Sequence, residues 1–163
     1  MPAPASSVLA RPSIADEPVL VEALFHATRA FRHRLRPELE REGLTAPMFW
    51  TLHQLVVDGP RNVGQIAEAC VVTPANVSSS VEQLKRSGLV DRQPGPRDRR
   101  VVVVSATARG RALHRTVWRR LGQVLVRSLV GVRPDDLEAT ARVLGRLAAS
   151  GAEAVVLAPE AGA

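Results

Sequence analysis

The sequence predicts a mainly α-helical chain carrying one small β-hairpin near residues 89–105, and three observations predict it. Apolar residues recur every three or four positions through most of the 163 residues, which is the period of a helix face. Helix-capping residues punctuate that pattern at regular intervals. One stretch breaks the period: the β-branched run Val101 to Val104 follows directly on "DRQPGPRDRR", a strand after a charged Pro/Gly turn.

The elements follow in order. Asp16, Glu17 and Pro18 open a first helix whose inner face is Leu20, Leu24, Ala27, Phe31 and Leu35. Pro37 is expected to kink or split it, because proline lacks the amide a helix interior needs. Gly43 ends it. Thr45 is the next N-cap, with Pro47 in the first turn; Met48, Leu52, Leu55 and Val56 give the second helix an apolar face that stops at Asp58-Gly59-Pro60. Asn62 followed by Gln65 is a capping-box variant opening a third helix, "VGQIAEAC", with Ile66, Ala67 and Cys70 inward.

Thr73 then caps a fourth helix, Pro74 sits at its first position and Gly88 terminates it. Val77, Val81 and Leu84 face inward; Asn76, Ser78, Ser79, Ser80 and Gln83 are left pointing elsewhere. Two short helices joined by about three residues form the helix-turn-helix pattern. Leu89 to Gln93 and Val101 to Ser105 read as two strands joined by "PGPRDR", a wing. Thr107 caps a long fifth helix with Leu113, Val117, Leu121 and Val124 or Leu125 along one side. Gly131 to Pro134 break it. A sixth helix opens on Asp135 and Asp136, whose carboxylates complement its dipole, and carries the stripe Leu137, Ala141, Leu144, Leu147.

This order divides the chain. Residues 44–105 make a winged helix-turn-helix domain. Residues 16–43 and 106–150 carry more apolar surface than so small a domain can cover, so they are expected to pack together and against a second copy as a dimerisation region. Residues 1–15 and 151–163 are expected to be tails.

Charge narrows the function. Lys and Arg number 22 against 16 Asp and Glu, a formal net charge of +6, and Lys85 is the single lysine. Arginine presents a planar fork of donors suited to phosphate. Nine arginines and no acid lie between Arg99 and Arg133, a one-signed run that points to a polyanion. Cys70 stands alone, which fits a reducing compartment. No apolar run approaches the roughly 18–20 residues that span a bilayer, and the start lacks the pattern of a signal peptide. The expected location is the cytoplasm.

The chemistry of the fourth helix and wing follows. Small and amide-bearing side chains let a helix approach base edges: Asn76 can pair with adenine, Ser78 and Ser79 with bases or phosphates, and the free amides at the Thr73–Pro74 cap can meet a phosphate. Gln83 shares that outer face. Arg97, Arg99 and Arg100 stand in the turn of the hairpin. An arginine on so narrow a tip can enter the minor groove, and Asp98 can hold it in one rotamer.

On these residues the chain resembles the MarR family of bacterial transcription regulators. "GLTAPMFWTLHQL", "IAEACVVTPANVSSSVEQLKRSGLVDR" and "GPRDRRVVVVSATARGRAL" are similar to that family's second helix, helix-turn-helix, and wing with the following helix start, over roughly residues 18–150. The resemblance implies a homodimer formed by the first, fifth and sixth helices. It implies residues 73–83 as the base-facing helix and Asp98, Arg99 and Arg100 as the wing-tip group. It also implies a small, often aromatic or phenolic effector held between the dimerisation helices and the winged domain. The chain departs from the family at Ser79, where many relatives carry arginine, and at Cys70, which lies in the third helix while the oxidant-sensing cysteine of some members lies near the first. Phe25, Phe49, Trp50, His53 and Trp118, with Arg29 as a carboxylate partner, are the pieces available to line an effector pocket. His26 and His33 lie seven apart on one helical face, with His53 and His114 elsewhere; no metal and no cofactor is expected.

The expected function is a sequence-specific regulator of transcription that binds a pseudo-palindromic duplex, a repressor released by an effector. The alternative is a winged-helix module that binds protein instead. No paired carboxylates, nucleophile elbow, phosphate loop or metal-spaced motif suggests an enzyme.

Overall fold

The computed structural model describes residues 17–95 and 100–154. Along them run α1 (Glu17–Glu40), α2 (Ala46–Val57), α3 (Val63–Cys70), α4 (Pro74–Arg86), β1 (Val90–Pro94), β2 (Val102–Ala106), α5 (Ala108–Ser128) and α6 (Pro134–Ala154). The chain is mostly helical with one antiparallel strand pair, in the expected order. The expected tails fall largely outside the described residues, although α6 continues past residue 150 to Ala154.

The caps form where local chemistry places them. Thr45 accepts from the Met48 amide at 3.4 Å. Asn62 and Gln65 close a reciprocal box: Asn62 Oδ1 accepts from the Gln65 amide at 2.9 Å, and Gln65 Oε1 accepts from the Asn62 amide at 3.0 Å. Thr73 accepts from the Asn76 amide at 3.4 Å. Each cap satisfies a helix-terminal amide that has no partner within its helix. Gly43 and Gly88 sit at φ +66° and +68° after α1 and α4, the left-handed region that glycine enters without a Cβ penalty.

Four expectations are corrected. Pro37 does not split α1, which runs through it to Glu40. Proline removes a single helix hydrogen bond, and buried Leu35 and Leu39 bracket it and hold the backbone down. Ser80 does not point outward with its neighbours. It is buried, and its hydroxyl donates to the Asn76 carbonyl at 3.0 Å, so the polar group enters the core already satisfied. Each strand begins and ends one residue later than expected. Pairing sets those bounds: Val90 lies opposite Ala106 and Pro94 opposite Val102. Finally, the arginine-rich run is not wholly available to a polyanion. Arg120 pairs with Glu42 at 2.6 Å, and Arg111 donates to the Ala106 carbonyl.

The described residues divide into two compact units, one ending at Gly122 and one beginning at Gln123. The first owns the core. Phe49 and Leu52 from α2, Ile66 from α3, Val77, Val81 and Leu84 from α4, and Val90 and Val104 from the hairpin are all buried, joined by Leu35 and Leu39 of α1 and Val117 of α5. The hairpin is held by a further partner: Arg61, between α2 and α3, exchanges two backbone hydrogen bonds with Val104, at 3.0 and 2.8 Å.

Thr107 fastens the start of α5 to this body. Thr107 Oγ1 accepts from the Gly110 amide at 3.0 Å and donates to the Gly88 carbonyl at 2.9 Å, while the Thr107 amide donates to the Leu89 carbonyl. Gly110 is what permits the approach. A Cβ there would lie 2.1 Å from the Leu89 carbonyl oxygen, inside any tolerable contact.

The second unit holds the end of α5, the turn at Gly131 (φ +89°) and α6. Asp135 and Asp136 occupy the first turn of α6 as expected. Among its described residues none is buried. Leu137, Val143, Leu144 and Leu147 are 36–47% exposed.

Candidate nucleic-acid interface

The outer side of α4 is the reverse of its apolar face. With Val77, Ser80, Val81 and Leu84 buried, the 3.6-residue period turns Thr73, Pro74, Asn76 and Ser79 to solvent and leaves Ser78 and Gln83 half-buried. Gln83 Nε2 donates toward the Ser79 hydroxyl at 3.3 Å and the Ser79 carbonyl at 3.4 Å. The six candidate residues 73–83 therefore occupy one helix and its cap. None carries a branched apolar chain that would keep a partner's edge away.

The turn before α4 holds a feature the sequence did not announce. Val71 closes α3 in the left-handed region, at φ 53° and ψ 50°. A β-branched residue rarely adopts this conformation. Its amide donates to the Glu68 carbonyl, and the Val72 amide to the Ala67 carbonyl. These bonds stop α3 abruptly and turn the chain into Thr73.

The hairpin is tied to α4 by charge. Arg92 of β1 donates through Nη1 to Glu82 of α4, while its Nε is buried without a hydrogen-bond partner among the described residues. The Gly95 amide donates to the Val101 carbonyl at 2.7 Å, closing the strands at their far end. Arg100 is exposed beside that end. Arg97, Asp98 and Arg99 lie outside the described residues.

The residues proposed for an effector separate into two groups. Phe49, Trp50, His53 and Trp118 come together. The rings of His53 and Trp118 stack 4.6 Å apart, Phe49 meets Trp50 edge-on at 5.3 Å, and Phe49 lies 6.4 Å from Trp118. Phe49 is fully buried and Trp118 is 48% exposed, so the cluster runs from the core to the surface. Phe25 is exposed elsewhere on α1, with its ring against His26. Arg29 lines a shallow concavity on α1 with His26 and His33.

His114 completes the cluster and was missed. It is buried, stacks on Phe49 at 5.6 Å and places Nε2 2.9 Å from His53 Nδ1. Its position four before Trp118 and three before Val117 put it on the inward side of α5, a signal legible in the sequence. Its contact with α2 was not. Burial pushes the pKa of His53 down, opposed by Asp58; burial, then His53 and Arg115, push that of His114 down. Burial pushes the Cys70 thiol up. Among the described residues no group of three or more His, Cys, Asp or Glu side chains is placed to hold a metal ion, and no helix is long and apolar enough to cross a membrane.

Comparison with known proteins gives the same outline. The MarR family sequence pattern matches residues 42–101. The transcriptional repressor MdtR of Bacillus subtilis is 26% identical over 124 residues, covering 74% of this chain and 80% of MdtR. A MarR family protein from Bacillus stearothermophilus superposes with a TM-score of 0.72 at 22% identity, covering 84% of this chain and 96% of that one. BpsR of Bordetella bronchiseptica, whose DNA binding is regulated by 6-hydroxynicotinic acid, superposes with a TM-score of 0.68 at 26% identity, covering 84% and 97%.

Proposed function

We propose that this chain, whose residues 42–101 match the MarR family pattern and whose fold is that of a MarR family protein, acts as a homodimeric winged helix-turn-helix repressor on a pseudo-palindromic DNA duplex. The observation that carries this reading is the outer face of α4. It offers a row of short polar side chains backed by a buried apolar face, with the charged hairpin fastened beside it through Arg92 and Glu82. A rod of this kind fits the major groove.

In this reading Asn76, Ser78, Ser79 and Gln83 meet base edges, and the Thr73–Pro74 cap meets a phosphate. Arg97, Asp98, Arg99 and Arg100 form the wing that reaches the neighbouring minor groove. Residues 44–105 are the DNA-binding domain. Residues 16–43 and 106–150 join two copies, which covers the apolar stripe of α6. The protein works in the cytoplasm and by binding rather than by catalysis.

The effector is a small aromatic or phenolic molecule. The Phe49, Trp50, His53 and Trp118 cluster supports this, since it offers flat apolar faces with imidazole nitrogens among them. The BpsR ligand is of the same chemical kind. Phe25 and Arg29 belong to this site if the second copy or the bound ligand brings α1 to it.

Selection of duplexes from a random pool tests the function. The expected product is an inverted repeat with half-site centres about 34–36 Å apart. Its affinity should fall with a log–log salt slope near −7 if the dimer makes about eight phosphate contacts. Equal affinity for random duplex would favour the protein-binding alternative. Repeating the selection with aromatic acids present should weaken recovery of the same duplexes.

A further inference from the structure

The imidazoles of His53 and His114 form a contact that the DNA-binding reading leaves unused. His53 sits late in α2, within the winged domain. His114 sits early in α5, on the helix leading out of it. Their nitrogens are 2.9 Å apart, Nδ1 to Nε2, with ring centroids at 5.1 Å. Rings flank the pair on both sides: Phe49 lies against His114, and Trp118 against His53. His114 is buried, and its other nitrogen, Nδ1, has no partner among the described residues.

Proton bookkeeping makes this pair selective. In the neutral pair a single N–H lies between the rings. If His53 donates it, His114 must carry its own proton on Nδ1, where the N–H is buried with no acceptor. If His114 donates it, Nδ1 is a bare lone pair, and an unpaired acceptor is the commoner and milder fault. The second arrangement is therefore preferred. One extra proton removes the choice. Whichever ring takes it, His114 Nδ1 then bears a hydrogen with no acceptor among the described residues. A second extra proton sets two N–H groups head to head across 2.9 Å, which the contact cannot survive.

We propose that the His53–His114 contact is a proton-operated latch that holds α5 against α2 when the pair is neutral and releases it when the pair is protonated. The charged groups facing the pair are Asp58 from the end of α2 and Arg115 from α5. Asp58 favours charge on His53, and Arg115 opposes it on His114. Aromatic faces favour a cation at either ring, but they cannot supply the missing acceptor at Nδ1. Burial dominates both groups and favours the neutral, latched form. Given the dimeric DNA-binding reading, on which this output rests, release changes how α5 leaves the winged domain. That alters the spacing of the two recognition helices and weakens operator binding as pH falls.

Trp50 and Trp118 are the only tryptophans in the chain, and both lie against His53. An imidazolium quenches a neighbouring indole, so intrinsic emission follows the pair without DNA. The experiment lowers pH from about 8 to about 5 at fixed ionic strength. It records emission of the free full-length protein and its affinity for a duplex selected at the upper pH. His114→Phe, which keeps the stack on Phe49 and cannot titrate, is measured alongside, with His53→Gln as a second non-titrating variant. Both retain His26 and His33 as internal controls. The expected result is an emission change in the wild type that the variants lack, with affinity falling about tenfold more in the wild type than in either variant. Equal loss of affinity in all three proteins would overturn the latch, as would wild-type emission that stays flat across the range. Failure to find any preferred duplex at the upper pH would instead overturn the DNA-binding reading, while the emission titration would still report whether the pair opens.

Discussion

The winged domain and α6 solve the problem of apolar surface in opposite ways. In residues 44–105 the faces of α2, α3, α4 and the hairpin close on one another, and Phe49, Leu52, Ile66, Val81, Leu84 and Val104 are completely buried. Along α6 an equally regular stripe includes Leu137, Ala141 and Leu144, all of which are exposed. The periodicity of the two regions is alike; what differs is how much of each apolar face is buried. A leucine stripe that folding does not bury marks an interface, and here it supports the second copy that the functional reading needs.

The sharpest way to break this contrast is a charge in the open stripe. Leu144→Asp should leave the winged domain folded but cost the dimer at least about 3 kcal/mol, because a carboxylate would be buried without a partner. Sedimentation should show a monomer with an unchanged helical circular-dichroism spectrum. If the variant remains a dimer, α6 is not at the interface.

The closed region is probed at its tightest point. Gly110→Ala places a methyl against the Leu89 carbonyl, 2.1 Å away in the unrelaxed structure. The backbone must shift, at a cost of about 2–3 kcal/mol in urea unfolding. A neutral effect would mean that α5 is not seated on the hairpin root.

The third test uses the buried imidazoles. His53 and His114 both have pKa values below the ordinary imidazole range in the fold. The unfolded chain therefore takes up protons first as pH falls. Their contribution to stability is complete above about pH 6.5 and is lost as pH falls below it. His114→Phe should flatten that part of the urea midpoint–pH curve. A curve unchanged by the substitution would remove the pair from the account.

The smallest effect is expected at the turn into α4. Val71→Gly relieves a left-handed β-branched residue and should raise stability by up to about 1 kcal/mol. A loss of stability would show that the exposed valine contributes more through contacts than its backbone costs.

The sequence was most legible where the chemistry is local. Thr45, Asn62 with Gln65, and Thr73 announced their helices because a cap needs only the next three residues. Thr107 did the same, and Gly110, three residues on, has a visible reason in the Leu89 carbonyl. Legibility fell where the deciding atoms come from elsewhere in the chain. Ser80 matched its polar neighbours by type, but the register of α4 turned it inward. Pro37 looked like a break until Leu35 and Leu39 found their places in the core. The pairing of Arg61 with Val104 and the meeting of His53 with His114 join residues more than forty positions apart, and no local pattern encodes either. Of the effector candidates, the four on α2 and α5 assemble in one cluster, while Phe25 and Arg29 stand apart on α1.

In the proposed function two copies of this chain together read one duplex. Sedimentation equilibrium of the protein with a duplex chosen by selection, beside a scrambled duplex of equal length and composition, measures this directly. Two chains per selected duplex are expected, and no defined complex with the scrambled one at physiological salt. One chain per duplex, or equal occupancy of both, would contradict it.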